Sequence, residues 1–144
     1  MSGLPRSERG GAMVELAVVL PVLILIAIGV MDYGRVYFTS VAVSNAARAG
    51  AEWGAADIGH QTQFTNMENF ARLDGAEAGT MTVTATRVCR CGATVVACST
   101  SCGAYGVPRV FIQVVATKPV TMLLKYPGLP ATVTVSRTAT FRLQ

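Results

Sequence analysis

The chain has 144 residues, of which 51% are hydrophobic and only 14% are charged. Soluble domains average about 25% charged residues, so part of this chain is suited to a non-aqueous environment. The length allows one domain and an anchor rather than two large cores. The net charge of +4 arises from scattered basic residues, without the basic run or stripe typical of nucleic-acid binding, so we expect no nucleic-acid partner.

Residues 11–31 form an apolar segment with a single charged residue, Glu15. As a helix this segment would be about 31 Å long at roughly 1.5 Å per residue, which matches a bilayer core of about 30 Å. Arg6 and Arg9 precede it and favour a cytoplasmic N-terminus. We therefore predict a membrane-spanning helix over 11–31, preceded by a cytoplasmic leader over 1–10.

Three kinds of protein would carry such a segment: a signal-anchored binding domain, a secreted protein cut after Gly29, and a type IV-like prepilin cut before the apolar stretch. Glu15 favours the third. A carboxylate in an apolar span costs a few kcal/mol, and the first two kinds of protein give it no role. Cleavage between Gly10 and Gly11 would make Glu15 the fifth residue of the mature chain. Its carboxylate could then pair with the free α-amine of a neighbouring subunit.

Residues 9–16 combine the two glycines with Glu15, and the apolar run that follows contains Pro21. This pattern resembles the TadE-like minor pilins of tight-adherence (Flp/Tad, type IVb-like) pili. In that family a glycine cleavage site is followed by four residues, a glutamate and usually an aromatic residue; Leu16 stands at the aromatic position here. Further similarity at 32–35 and 45–51 extends the resemblance over residues 6–55.

The resemblance implies a minor pilin or pseudopilin that is processed by a prepilin peptidase. Its partners would be other pilin subunits, major and minor, and the inner-membrane assembly platform. It implies a single-pass protein of the bacterial inner membrane, with a periplasmic C-terminal domain that can enter the extracellular pilus. The sequence contains no hydrolase, phosphate-binding or histidine-based metal motif, so we expect no enzyme activity, metal, cofactor or small-molecule substrate.

The helix is expected to continue beyond the membrane over 32–55, because no breaker stronger than glycine occurs there. Within the span, Pro21 removes one backbone hydrogen bond and predicts a kink, which membrane helices tolerate. Small residues recur at every fourth position of the second half and predict a ridge for close packing, under the protein's own sheet or between subunits. These residues are Ala42, Ala46, Gly50 and Gly54.

Residues 56–144 are expected to form an α+β extracytoplasmic domain. A capping-box pattern from Thr65 to Glu68 predicts a short helix that ends near Leu73. His60, the only histidine, is expected to be solvated and is assigned no role. Thr- and Val-rich runs with a period of two predict three antiparallel strands, with the amphipathic helix packed on one face of the sheet. The runs lie at 80–86, 110–116 and 132–141.

The last connection, residues 118–130, is unusually apolar. We expect it either to fold over the edge of the sheet or to form a contact patch for a partner subunit or the membrane surface.

Four cysteines lie between the first two predicted strands: Cys89, Cys91, Cys98 and Cys102. Their C-x-C and C-x3-C spacings fit zinc sites poorly, so we predict two disulfides in a hairpin loop. A bond between Cys89 and Cys91 would be strained. Two arrangements remain: Cys89–Cys102 with Cys91–Cys98, or Cys89–Cys98 with Cys91–Cys102. The first nests like the rungs of a hairpin and is narrowly preferred.

Overall fold

The computed structural model describes residues 8–103, 106–125, 127–128 and 130–143, with side chains from residue 11 onward. Residues 1–7 of the expected leader, and Tyr126 and Leu129 of the apolar connection, lie outside this range. The described chain contains two α-helices, two short 3₁₀ helices (Ile58–His60 and Ala76–Ala78) and four strands, and the predicted α+β class is confirmed. The elements are α1 (Glu8–Ala56), α2 (Phe64–Asp74), β1 (Thr82–Cys91), β2 (Thr94–Val96), β3 (Arg109–Thr121) and β4 (Thr132–Arg142).

Helix α1 contains 49 residues and continues through Pro21 without interruption. At roughly 1.5 Å per residue it is about 73 Å long, far more than a bilayer core requires. Its N-terminal half is long and apolar enough to cross a membrane, and the most apolar stretch is not covered by the rest of the chain. One helix therefore supplies both the candidate span and the predicted extension beyond it.

The second half of α1 packs on the domain through its small residues. Ala46, Gly50 and Gly54 of the predicted ridge are buried, and Ala42 is half-buried. Gly50 and Gly54 lie against α2: a Cβ atom on Gly50 would lie 2.8 Å from the Met67 carbonyl oxygen, and one on Gly54 would meet the Met67 side chain. Val114 of β3 also lies 3.4 Å from the Gly50 Cβ position. The small residues of the ridge therefore allow close packing within the subunit.

Helix α2 confirms the predicted short helix, but the predicted capping box is wrong. The helix begins after Gln63, which makes no side-chain cap hydrogen bond. Glu68 instead accepts a hydrogen bond from the Ala85 backbone N–H at 3.2 Å and pairs with Arg72 at 3.3 Å. The carboxylate of Glu68 thus joins α2 to β1 and does not cap the N-terminus of α2.

The strands form one antiparallel sheet in the order β2-β1-β3-β4. The three predicted strands are present and end later than predicted, although β1 begins at Thr82 rather than at residue 80. Strand β2 was not predicted. Strand β3 also includes residues 118–121, which were expected to belong to the connection. Pro119 is tolerated there because it lies beyond Thr117, the last β3 residue paired with β1, and no backbone donor is needed on that side.

One face of the sheet and the inner faces of α1 and α2 enclose the core. Its members are apolar and small to medium in size, consistent with the close approach of the helices. The largest fully buried side chains are Met67, Ile112, Val43, Val114 and Cys89.

The disulfides join Cys89 to Cys98 and Cys91 to Cys102, so the preferred nested pairing is wrong. Cys89 and Cys91 lie within β1 rather than in a loop. The chain turns at Gly92, where φ is +63°, and strand β2 then places Val96 opposite Cys89. Cys98 follows the end of β2 by two residues and bonds to Cys89. Cys102 lies further along the chain and bonds to Cys91.

Gly50→Ala should lower the free energy of unfolding by about 1–3 kcal/mol, because the added methyl group would overlap the Met67 carbonyl and the Ala71 side chain. Gly34→Ala is the matched control: nothing lies within 4 Å of its Cβ position, and alanine is the better helix former. Denaturant unfolding of the full chain in micelles, followed by Trp53 fluorescence, measures both. Equal destabilisation by the two substitutions would contradict the close packing of α1 on α2.

Candidate functional site

The N-terminal part of α1 projects from the domain. Every residue from Gly11 to Ala27 is exposed, including leucine, isoleucine and valine side chains around the whole circumference. Exposed apolar surface of this extent marks a lipid or protein interface in a functional protein. This segment is therefore the first candidate site.

Glu15 lies within this apolar surface and is exposed. The two ion pairs between described side chains, Asp32–Arg35 and Glu68–Arg72, do not include it. Helix α1 places Gly11 and Glu15 four residues apart, on one face and about 6 Å apart along the axis. An α-amine created at Gly11 and the carboxylate of Glu15 would thus be presented together to a neighbouring molecule.

The second candidate site is the junction where the apolar half of α1 meets the domain. Asp32 follows the last residue of the apolar segment, and it is only 5% exposed although it is a carboxylate. Its Oδ1 accepts a hydrogen bond from the Leu123 backbone N–H at 2.8 Å, and its Oδ2 accepts one from Leu124 at 3.4 Å. The carboxylate therefore holds residues from the distant β3–β4 connection against α1.

Arg35 strengthens this junction from the next turn of the helix. Its guanidinium donates to the Thr121 carbonyl at 3.3 Å and lies 3.8 Å from the Asp32 carboxylate. The end of β3 and the start of the apolar connection, residues 121–124, thus lie against α1. The sequence interpretation used 32–35 only as part of the family resemblance and missed this contact.

At the other end of α1, His60 stacks on Trp53 with ring centroids 3.8 Å apart and an interplanar angle of 5°. The His60 Nδ1 atom also lies 3.0 Å from the Trp53 carbonyl oxygen. His60 is half-buried, so the expectation of a solvated histidine is wrong. Its contacts close the turn after α1.

The described residues contain no group of three or more histidine, cysteine, aspartate or glutamate side chains placed to hold a metal ion. The four cysteines are consumed by the two disulfides. Two carboxylates of the described residues have unusual surroundings. Glu15 lies within the exposed apolar surface, and Asp32 is buried directly after the C-terminal end of the apolar segment.

Residues 10–52 match the model of the family described as TadE-like protein. Over this range the chain is similar to that family. The predicted resemblance is thereby confirmed for the part of α1 that holds Gly10, Gly11, Glu15, Pro21, Asp32 and most of the small-residue ridge. No curated protein and no solved structure matches the chain significantly. The family match thus concerns the helix and does not extend to the sheet.

Asp32→Ala should speed trypsin cleavage after Lys125, because the Leu123 and Leu124 amides would lose their acceptor at a cost of about 1–3 kcal/mol. Lys125 is exposed and lies in the connection that Asp32 holds. Asp74→Ala, at the exposed C-terminal end of α2, is the control and should leave the cleavage rate unchanged. Timed proteolysis with mass spectrometry gives the rate. Identical rates in wild type and Asp32→Ala would contradict the proposed role of Asp32.

Proposed function

We propose that this protein is a minor pilin or pseudopilin that takes part in assembly or priming of a tight-adherence pilus. The observation that carries the proposal is the TadE-like match over residues 10–52, on a helix whose apolar half is free of the domain. That family indicates a pilus-associated protein rather than an enzyme. The long exposed helix is the element through which such subunits would contact each other.

In this proposal a prepilin peptidase hydrolyses the Gly10–Gly11 bond and frees the α-amine of Gly11. Removal of the leader leaves one cation and one anion, the amine and Glu15, at the start of an apolar helix. Each charge is costly in lipid, by about 2.5–3.5 kcal/mol for a central position on insertion scales. Pairing of Glu15 with the amine of an adjacent subunit would offset both costs, and only in one register.

The proposed topology is a single pass through the bacterial inner membrane, with the N-terminus cytoplasmic and residues 32–144 periplasmic. The two disulfides support this orientation, because disulfides persist in oxidising compartments such as the periplasm. The partners would be the prepilin peptidase, the assembly platform, and major and minor pilins. A signal-anchored binding domain remains the alternative, but it gives no role to the exposed Glu15.

Glu15→Ala should leave processing intact and lower incorporation into pili roughly tenfold or more, because the partner amine would be buried without its counter-charge. Glu52→Ala is the matched control, since Glu52 is an exposed glutamate of the same helix but lies in the domain half. Intact mass of the membrane fraction reports processing, and quantitative immunoblotting of sheared pili reports incorporation.

Normal incorporation of Glu15→Ala would contradict the pairing role. Equal loss of incorporation in Glu52→Ala would show that any lost carboxylate on α1 impairs assembly, which also contradicts a role specific to Glu15.

A further inference from the structure

The β3–β4 connection spans residues 122–131, of which 122–125, 127–128 and 130–131 are described, and its residues 123 and 124 lie beside the end of the apolar segment of α1. Leu123 is hydrogen-bonded through its backbone to Asp32, the residue that follows the segment. This contact keeps Leu123 beside the end of the apolar segment. The Leu123 side chain is nevertheless 57% exposed, so the domain itself does not cover it.

The connection also lines an open apolar groove against α1. The groove has a volume of about 360 Å³, and its walls include Met122 and Pro130 on one side and Gly29 and Val36 on the other. Gly29 precedes Asp32 by three residues, about 4.5 Å along the helix axis. If residues 11–31 occupy the hydrocarbon core, one end of this groove therefore borders the lipid.

The side chains around this point have the chemistry of a membrane interface. Tyr33 and Tyr37 on α1 are 73% and 63% exposed, and Lys125 in the connection is exposed. Tyrosine rings are enriched at the level of lipid headgroups, and lysine extends its ammonium group towards anionic headgroups from an apolar surrounding.

The carboxylate of Asp32 suits the same environment. Backbone N–H groups that enter an apolar phase need an acceptor within the protein. Asp32 supplies one for Leu123 and for Leu124 of the connection.

We propose that the β3–β4 connection contacts the outer surface of the phospholipid bilayer, with the Leu123 side chain at the boundary between headgroups and acyl chains. The bilayer is the favoured occupant because the same helix that spans it holds the connection at its surface. The inference rests on the membrane-anchored state of the proposed function. In that state the connection and the span together fix the height of the domain above the bilayer.

The test uses the full chain in vesicles of phosphatidylcholine and phosphatidylglycerol, with Trp53→Phe as background. Leu123→Trp reports on the connection, and Val95→Trp is the matched control. Val95 is 62% exposed and belongs to β2, at the end of the sheet opposite the connection. Leu20→Trp, within the apolar segment, reports on insertion. Quenching by brominated phosphatidylcholine is compared with quenching by aqueous acrylamide.

We expect brominated lipid to remove most of the emission of Leu123→Trp and Leu20→Trp, and acrylamide to quench only Val95→Trp. Leu123→Trp quenched by acrylamide alone would overturn the inference. Shielding from both quenchers would also overturn it, because a neighbouring protein would then cover the connection. Lack of lipid quenching at Leu20→Trp would contradict the anchor itself and both proposals, whereas quenching at Leu20→Trp alone would contradict only the bilayer contact.

The unsubstituted chain provides a second measurement that does not depend on the folding of the variants. Photoactivatable phosphatidylcholine should label the tryptic peptide that ends at Lys125 and should leave the peptide that contains Val95 unlabelled. Equal labelling of the two peptides, or none in the peptide that ends at Lys125, would overturn the inference.

Discussion

Helix α1 exposes apolar side chains along its first half and packs on the domain along its second half. The rest of the structure depends on this division. An uninterrupted helix provides its own backbone hydrogen bonds, so it can expose apolar side chains around its first half without leaving polar groups unpaired. Its second half can then carry a domain only if other elements approach closely. Gly50 and Gly54 permit that approach by leaving room for Met67 of α2.

The domain is joined to the helix at two levels. Near the end of α1, the contacts of α2 and β3 with the small residues fix one end of the sheet. At the end of the apolar segment, Asp32 fixes the other end through the β3–β4 connection. About 36 Å of helix separates Asp32 from Ala56. This separation places the disulfide hairpin far from the apolar half, while the connection stays beside it.

The elements with a strong period could be predicted from the sequence. The apolar segment and three strands follow from patterns over seven or more residues. The extension of α1 was predicted from the lack of a breaker, and α2 was predicted from a four-residue capping pattern that the structure does not form. Strand β2 has only three residues, too few to show a period, and without it the register that pairs Cys89 with Cys98 could not be inferred. The Asp32–Leu123 contact joins residues 91 positions apart, and no local pattern encodes it. Glu15 was identifiable because a single charge in an apolar segment stands out by composition alone.

We propose that α1 begins as a pilin-type signal, cut before its apolar segment rather than after it or not at all. The most direct measurement is the N-terminal residue of the mature chain isolated from membranes that contain a prepilin peptidase. We predict a chain that begins at Gly11 and keeps Glu15 as its fifth residue. A mature chain that begins at Val30, or one that retains residues 1–10, would contradict it.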